Sequence, residues 1–262
     1  MSILIKGFFI ILIAFLFSFV SLRSYGQETA TPAVSPAEIS YPSQVFDLTN
    51  WKLTLPTGNS ESPTEILQPD LATYVNNPWF MLTADKTAVR FRAPVNGVTT
   101  SGSGYPRSEL REMKNSGKDK ASWSSTSGTH TMFIDQAITA VPQVKKHVVA
   151  GQIHDKSDDI IVIRLELPNL YVNVDGKNKY KLDSNYTLGK RFTVKFEVEK
   201  GKTKIYYNGS SKPVYTLSKL YSGAYFKAGT YTQSNCTREL FLFCNDDNFG
   251  EVAIYNLNVT HD

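Results

Sequence analysis

Apolar and polar residues alternate with period two along most of the chain from Phe46 onward. Trp51, Leu53 and Leu55 interleave with Lys52 and Thr54, and the pattern returns in Val89-Phe91-Ala93, Phe192-Val194-Phe196-Val198, Ile205-Tyr207 and Phe241-Phe243. Successive strand side chains point to opposite faces, so each run predicts a half-buried strand. Asp175-Gly176, Lys200-Gly201 and Asn208-Gly209 separate the runs with pairs suited to tight hairpins. Helical periodicity is nearly absent; one short helix is expected over residues 64–75, ahead of Asn76-Asn77-Pro78. Many short strands joined by polar turns predict an all-β sandwich, jelly roll or barrel, with no internal repeat and no second domain.

The N-terminus breaks this pattern. Residues 7–20 form an unbroken apolar run behind Lys6, and Ser24-Tyr25-Gly26 supplies small residues for cleavage, so residues 1–26 read as an export signal. The alternative, a retained membrane anchor, is disfavoured because the run is short for a bilayer span. Residues 27–43 are mostly Ala, Thr, Pro, Ser and Glu, a composition that buries too little apolar surface to order itself and reads as a flexible linker. The domain proper is expected over residues 44–262, secreted or held in the periplasm or at the surface of a bacterium, as a monomer with no membrane association after cleavage.

Charge changes the picture little. The chain carries 28 Lys and Arg against 24 Asp and Glu, and losing Lys6 and Arg23 with the signal narrows the excess further. So even a balance gives no reason to expect nucleic acid, and affinity for a polyanion must come from local placement of cations. The only cysteines, Cys236 and Cys244, would meet oxidising conditions after export. A disulfide clamping a turn is expected, two buried thiols being the alternative.

Three segments put polar groups where a sandwich strand is usually apolar or merely solvated. In Tyr105-Pro-Arg-Ser-Glu-Leu-Arg-Glu-Met113, alternation sets Tyr105, Arg107, Glu109, Arg111 and Met113 on one face. Two guanidinium forks then flank a carboxylate, a geometry suited to gripping another carboxylate; a solvated ion-pair ladder is the plain alternative. In Val148-Val-Ala-Gly-Gln-Ile-His154, Gln152 and His154 project to one side, and Val149, Gly151 and Ile153 to the other. An imidazole titrating near neutral pH can hold or release a proton. His130, His147 and His261 have no ligand spacing with it, so neither a metal site nor a cofactor is expected. In Tyr225-Phe-Lys-Ala-Gly-Thr-Tyr-Thr-Gln233, a regular strand sets Tyr225, Lys227, Gly229, Tyr231 and Gln233 on one face. Each segment has a bland structural explanation; together they hold the donors, base and acid needed to deprotonate a uronic acid beside its carboxylate.

These segments resemble the three signature stretches of the alginate lyases of polysaccharide lyase family 7: Arg107-Ser-Glu-Leu-Arg111, Gln152-Ile-His154 and Tyr225-Phe-Lys-Ala-Gly-Thr-Tyr-Thr-Gln233, in the family's order. The resemblance runs from about Phe46 to the C-terminus. It implies a jelly-roll sandwich of two antiparallel sheets with a concave substrate groove, and alginate, an anionic polysaccharide, as partner. By position, it implies that Arg107 and Gln152 neutralise the substrate carboxylate, that His154 is the base and that Tyr231 is the acid, or acid and base together on mannuronate. Glu109 would orient Arg107 and Arg111, while Arg111, Lys227, Gln233 and Tyr225 would bind sugars. Arg164, in Ile160-Ile-Val-Ile-Arg-Leu-Glu-Leu167, would line the groove or pair with Glu166. The isoleucine of Gln-Ile-His leans towards guluronate-containing blocks. Other readings are a lyase of another polyuronate such as glucuronan, a glycoside hydrolase, for which no strand offers paired acids on one face, and a non-catalytic carbohydrate-binding module. Gly102-Ser103-Gly104 lacks the full nucleophile-elbow pattern of a serine hydrolase.

Overall fold

The computed structural model of the protein describes residues 38–262; the expected export signal and residues 27–37 of the expected linker lie outside them. In chain order the strands are β1 (Trp51–Asn59), β2 (Ser62–Ile66), β3 (Phe80–Leu82), β4 (Val89–Pro94), β5 (Arg107–Lys114), β6 (Asp119–Lys120), β7 (Thr129–Ala140), β8 (His147–His154), β9 (Asp159–Glu166), β10 (Asn169–Val174), β11 (Lys177–Asp183), β12 (Arg191–Glu199), β13 (Lys202–Tyr207), β14 (Tyr215–Ser218), β15 (Tyr225–Thr232) and β16 (Phe249–His261). One sheet runs β11-β10-β9-β8-β15-β5-β1-β2, with β6 paired to β5, and the other runs β14-β13-β12-β7-β16-β4-β3. All the strand pairs are antiparallel. This is the jelly-roll sandwich the resemblance implied.

Alternation decides which residues fill the space between the sheets. Phe192, Val194, Phe196 and Val198 of β12 are all at most 2% exposed, and they join Leu53, Leu55, Leu110, Val148, Ala150, Ile153 and Phe226 from the other sheet in one apolar cluster. Each large side chain buried there stabilises the fold by about 1.5–3 kcal/mol relative to exposure. Asp175-Gly176 and Lys200-Gly201 close two-residue hairpins with positive φ at both positions, 51° and 69°, then 49° and 72°. That backbone matches the twist of the flanking strands.

Two local expectations fail. Residues 64–75 hold no α-helix: Glu65 and Ile66 pair with Thr54 and Leu53 as part of β2, and Asp70–Thr73 makes a single 3-10 turn. Pro69 disfavours helical backbone at the residue before it, and an open edge of β1 offers a strand partner instead. Phe241–Phe243 is likewise a 3-10 turn, not a strand, inside the loop closed by the Cys236–Cys244 disulfide, and Phe241 is 92% exposed. Residues 38–43, at the end of the stretch expected to be a linker, are held to the domain. The Pro42 ring is buried and the Ser43 hydroxyl donates to the Ala72 carbonyl at 2.5 Å.

Candidate active site

The three polar segments become neighbouring strands although they lie far apart in sequence: β15 sits between β8 and β5. Across β15 and β5, Lys227 pairs with Arg111, Gly229 with Glu109 and Tyr231 with Arg107; across β15 and β8, Tyr225 pairs with His154 and Lys227 with Gln152. Their outward face lines a groove of about 870 Å³, to which Arg107, Arg111, Gln152, His154, Arg164, Tyr225, Lys227, Tyr231 and Gln233 all contribute. Lys52 and Thr54 of β1 also line it, which explains polar side chains on a strand whose other face is core.

Alternation breaks within β8. Val149 pairs with Arg164 and Gln152 with Val162, so β8 carries one more residue than β9 between these points. Gly151 takes a φ of +136°, and a Cβ there would lie 2.8 Å from Ile134 Cδ1 in the core. This bulge re-aims the strand, so Val149 lines the groove beside Gln152 instead of facing away from it as strict alternation predicts.

Glu109 does not line the groove. It lies beneath it, 1% exposed, and accepts hydrogen bonds from Gln152 Nε2 and Lys227 Nζ, each at 2.5 Å, and from Arg107 Nη1 at 3.3 Å. Its expected part in binding sugar, and in orienting Arg111, is therefore corrected. Arg111 lies over the Tyr225 ring, 4.0 Å from its centroid, and donates to the backbone carbonyls of Glu112 and Ala121. Burial alone would raise the Glu109 pKa, but Lys227 and Arg107 outweigh it and hold the carboxyl below its ordinary value. Burial, with Arg107 adding repulsion, pulls Lys227 down to about 8 despite its bond to Glu109.

His154 has a defined tautomer. Its Nδ1 lies 2.6 Å from the Asp155 carbonyl oxygen, which can only accept, so Nδ1 carries the proton. Among the described residues no group bonds Nε2, whose lone pair is free on a ring that lines the groove. Burial lowers the His154 pKa, the Asp155 carbonyl opposes this, and Lys227 adds to the lowering; the ring is thus neutral at pH 7. Tyr225 stacks on it at 5.4 Å between centroids.

Tyr231 lies under the Arg107 guanidinium, 4.1 Å from its ring centroid, and its hydroxyl is 2.9 Å from Ser103 Oγ. Gly102-Ser103-Gly104 carries no periodicity, so nothing in the sequence marks Ser103 as a neighbour of Tyr231. Tyr105 packs edge-on against Tyr231 and accepts a hydrogen bond from Lys145 at 2.7 Å, a cation that alternation had no means of pointing out. Arg164 both lines the groove and pairs with Glu166 at 3.0 Å. Arg107 Nε and Gln233 Nε2 are buried and have no partner among the described residues. Such orphaned donors cost about 1–3 kcal/mol each unless something accepts from them. The groove thus presents cations to an anion, with a neutral base and a phenol on the same wall.

Residues 46–261 match the family described as alginate lyase. Among solved structures, an alginate lyase from Corynebacterium sp. is 52% identical with a TM-score of 0.81, covering 85% of this chain and 98% of that one. The alginate lyase AlgAT5 from polysaccharide lyase family 7 is 55% identical with a TM-score of 0.79, covering 85% and 99%. A histidine-to-asparagine and tyrosine-to-phenylalanine double variant of the family 7 alginate lyase A1-II′, in complex with substrate (GGMG), is 26% identical with a TM-score of 0.69, covering 86% and 98%. A search of curated proteins found no match.

Proposed function

The chain belongs to the alginate lyases of polysaccharide lyase family 7 and is a polysaccharide lyase, and from that premise we propose that it cuts alginate by β-elimination in this groove, with His154 as base and Tyr231 as acid. The observation that carries the assignment is the His154 tautomer: a proton fixed on Nδ1 leaves Nε2 as a neutral acceptor facing the groove. The A1-II′ variant crystallised with substrate had a histidine and a tyrosine replaced, the two residue types read here as the proton-transfer pair.

The roles follow from what elimination needs. The C5 proton of a uronate becomes removable when the adjoining carboxylate is neutralised, because the carbanion then spreads into it as an enolate. Arg107, and the Gln152 N–H not given to Glu109, supply that neutralisation, with Glu109 holding both side chains from below. His154 Nε2 takes the C5 proton. The C4–O4 bond breaks with its electron pair on O4, which receives the Tyr231 proton, and a C4–C5 double bond remains at the new non-reducing end. On mannuronate, whose C5 proton lies on the opposite ring face, Tyr231 serves as both base and acid. Arg111, Lys227, Gln233, Tyr225 and Arg164 hold neighbouring sugars. The protein works as an exported monomer and favours guluronate-containing blocks.

The mature protein incubated with guluronate-rich, mannuronate-rich and alternating alginates should generate near-ultraviolet absorbance from the conjugated double bond, earliest on guluronate-containing chains. His154→Ala and Tyr231→Phe should each abolish turnover of those blocks while still binding alginate. Binding without any absorbance from the unsubstituted protein would overturn the reading.

A further inference from the structure

The Ser103 hydroxyl sits where four groups compete for it. Arg107 Nη2 lies 3.0 Å away and Tyr105 N 3.3 Å away, and both can only donate. Those two donors occupy the two lone pairs of the hydroxyl, which leaves Ser103 a single proton to give. The available acceptors are Tyr231 Oη at 2.9 Å and the Tyr105 carbonyl at 3.2 Å. The shorter contact takes the proton, so in the Ser103–Tyr231 bond the serine is the donor. Tyr231 Oη has no other protein hydrogen bond among the described residues, and its own proton is free to point into the groove.

We infer that Ser103 is the positioning residue for the acid of the reaction: its hydroxyl donates to Tyr231 Oη, turns the phenol proton towards the substrate and stabilises the phenolate that remains. This rests on the assignment of Tyr231 made above. As the C4–O4 bond breaks, O4 keeps the electron pair and receives the Tyr231 proton; the phenolate oxygen then carries a full negative charge and accepts the Ser103 hydrogen bond more strongly than the phenol did. A bond that tightens as charge develops lowers the barrier without tightening substrate binding. Serine is held for this by its surroundings. The neighbouring Gly102 and Gly104 are exposed while Ser103 is half-buried, and the loop is pinned by Ser103 N donating to Thr100 O at 3.0 Å and Asn235 Nδ2 donating to Gly104 O at 2.8 Å.

The test is a small kinetic cycle on polyguluronate, with melting temperature measured on every variant. Ser103→Ala should lower kcat about 10- to 100-fold, the range for one hydrogen bond to a charged group, with KM within about twofold and melting unchanged. Ser103→Thr, which keeps the hydroxyl, should recover most of that loss. The solvent deuterium isotope effect on kcat should rise in Ser103→Ala, because proton delivery to O4 becomes more nearly limiting; a merely structural serine would leave it unmoved. Wild-type kcat in Ser103→Ala beside an inactive Tyr231→Phe would overturn the inference and leave the acid assignment standing. So would a loss expressed in KM alone, or one that Thr does not rescue. Full activity in Tyr231→Phe would instead remove the acid assignment, and the role of Ser103 with it.

Discussion

Replacing Glu109 with Gln tests the floor of the site. The carboxylate is 1% exposed and is the common acceptor for Lys227, Arg107 and Gln152. Glutamine keeps the size and one carbonyl oxygen but removes the charge, and that single acceptor oxygen replaces two carboxylate oxygens that serve Lys227, Arg107 and Gln152. Lys227, itself 7% exposed, then stands beside Arg107 with no buried counter-charge. Removing one partner of a buried ion pair costs about 3–5 kcal/mol, mostly from the charge left behind. In a domain of this size 1 kcal/mol moves the melting temperature by about 2–4 °C, so the expected drop at pH 7 is roughly 6–20 °C.

The pH dependence gives a second, independent sign. The folded pKa of Glu109 lies below its ordinary value, so its contribution is fully present above the unfolded carboxyl value of about 4.3 and is lost as pH falls through the lower folded value. Scanning calorimetry of wild type and Glu109→Gln should therefore show a constant gap from pH 5 to 7 that closes in stronger acid. Adding Lys227→Met to Glu109→Gln should restore part of the lost stability, since it removes the stranded cation. A Glu109→Gln protein melting within about 2 °C of wild type, or a double variant less stable than the single one by the full cost of a second lesion, would show that the carboxylate is not the keystone of this cluster.

The pH profile of kcat/KM should rise through a value below the ordinary histidine pKa, as His154 sheds its proton, and fall near pH 8 as Lys227 loses its charge. Lys227→Arg should move the alkaline fall upward, and an unmoved limb would assign it to another group. Arg107→Lys should cost about 10- to 100-fold in kcat/KM, because one ammonium cannot bond Glu109 and Ser103 and also lie over the Tyr231 ring as the guanidinium does; initial rates on polyguluronate decide it. Gly229→Ala places a methyl 2.6 Å from the Ser108 carbonyl at a φ of +135°. It should destabilise the fold by about 1–3 kcal/mol in urea unfolding, and a neutral result would mean that β15 shifts to accommodate it.

Much of this was legible in the sequence because strand alternation is a strong local signal. Phe192, Val194, Phe196 and Val198 declared the inward face of β12, and Lys200-Gly201 the kind of turn that follows it, without help from the rest of the chain. The candidate site was legible for a different reason: Arg107, Gln152, His154 and Tyr231 sit on strands whose polar face contradicts the usual sandwich pattern. What stayed hidden depends on contacts distant in sequence. The bulge at Gly151 cannot be read from β8 alone, because it is defined by the residues opposite on β9 and by Ile134 beneath. Glu109 looked like a member of a surface ladder, and only the arrival of Lys227 and Gln152 from other strands makes it a buried counter-ion. His130 and His261 showed no spacing, yet their Nδ1 atoms lie 2.7 Å apart and His261 bonds Glu112, which also accepts from Trp123. Pairing of β7 with β16 in one sheet brings the two histidines together, and Glu112 reaches them from β5 of the other sheet.

The buried carboxylate has a further consequence for the proposed reaction. Arg107 and Lys227 carry two positive charges beneath the sugar and Glu109 returns one negative charge, while Arg111, over the Tyr225 face and bonded to two carbonyls, keeps its charge on the groove wall for a neighbouring sugar. The floor therefore offers one net positive charge, matching the single negative charge of a bound uronate. When His154 takes the C5 proton, the enolate gains a second negative charge and the new imidazolium supplies its balance. When the proton of Tyr231 passes to O4, the phenolate takes up the charge the enolate gives away. At each step the cluster stays near neutrality in a site where water is partly excluded and an unbalanced charge is expensive. A floor of two free cations would instead hold the ground-state carboxylate more tightly, and tighter ground-state binding alone does not raise kcat.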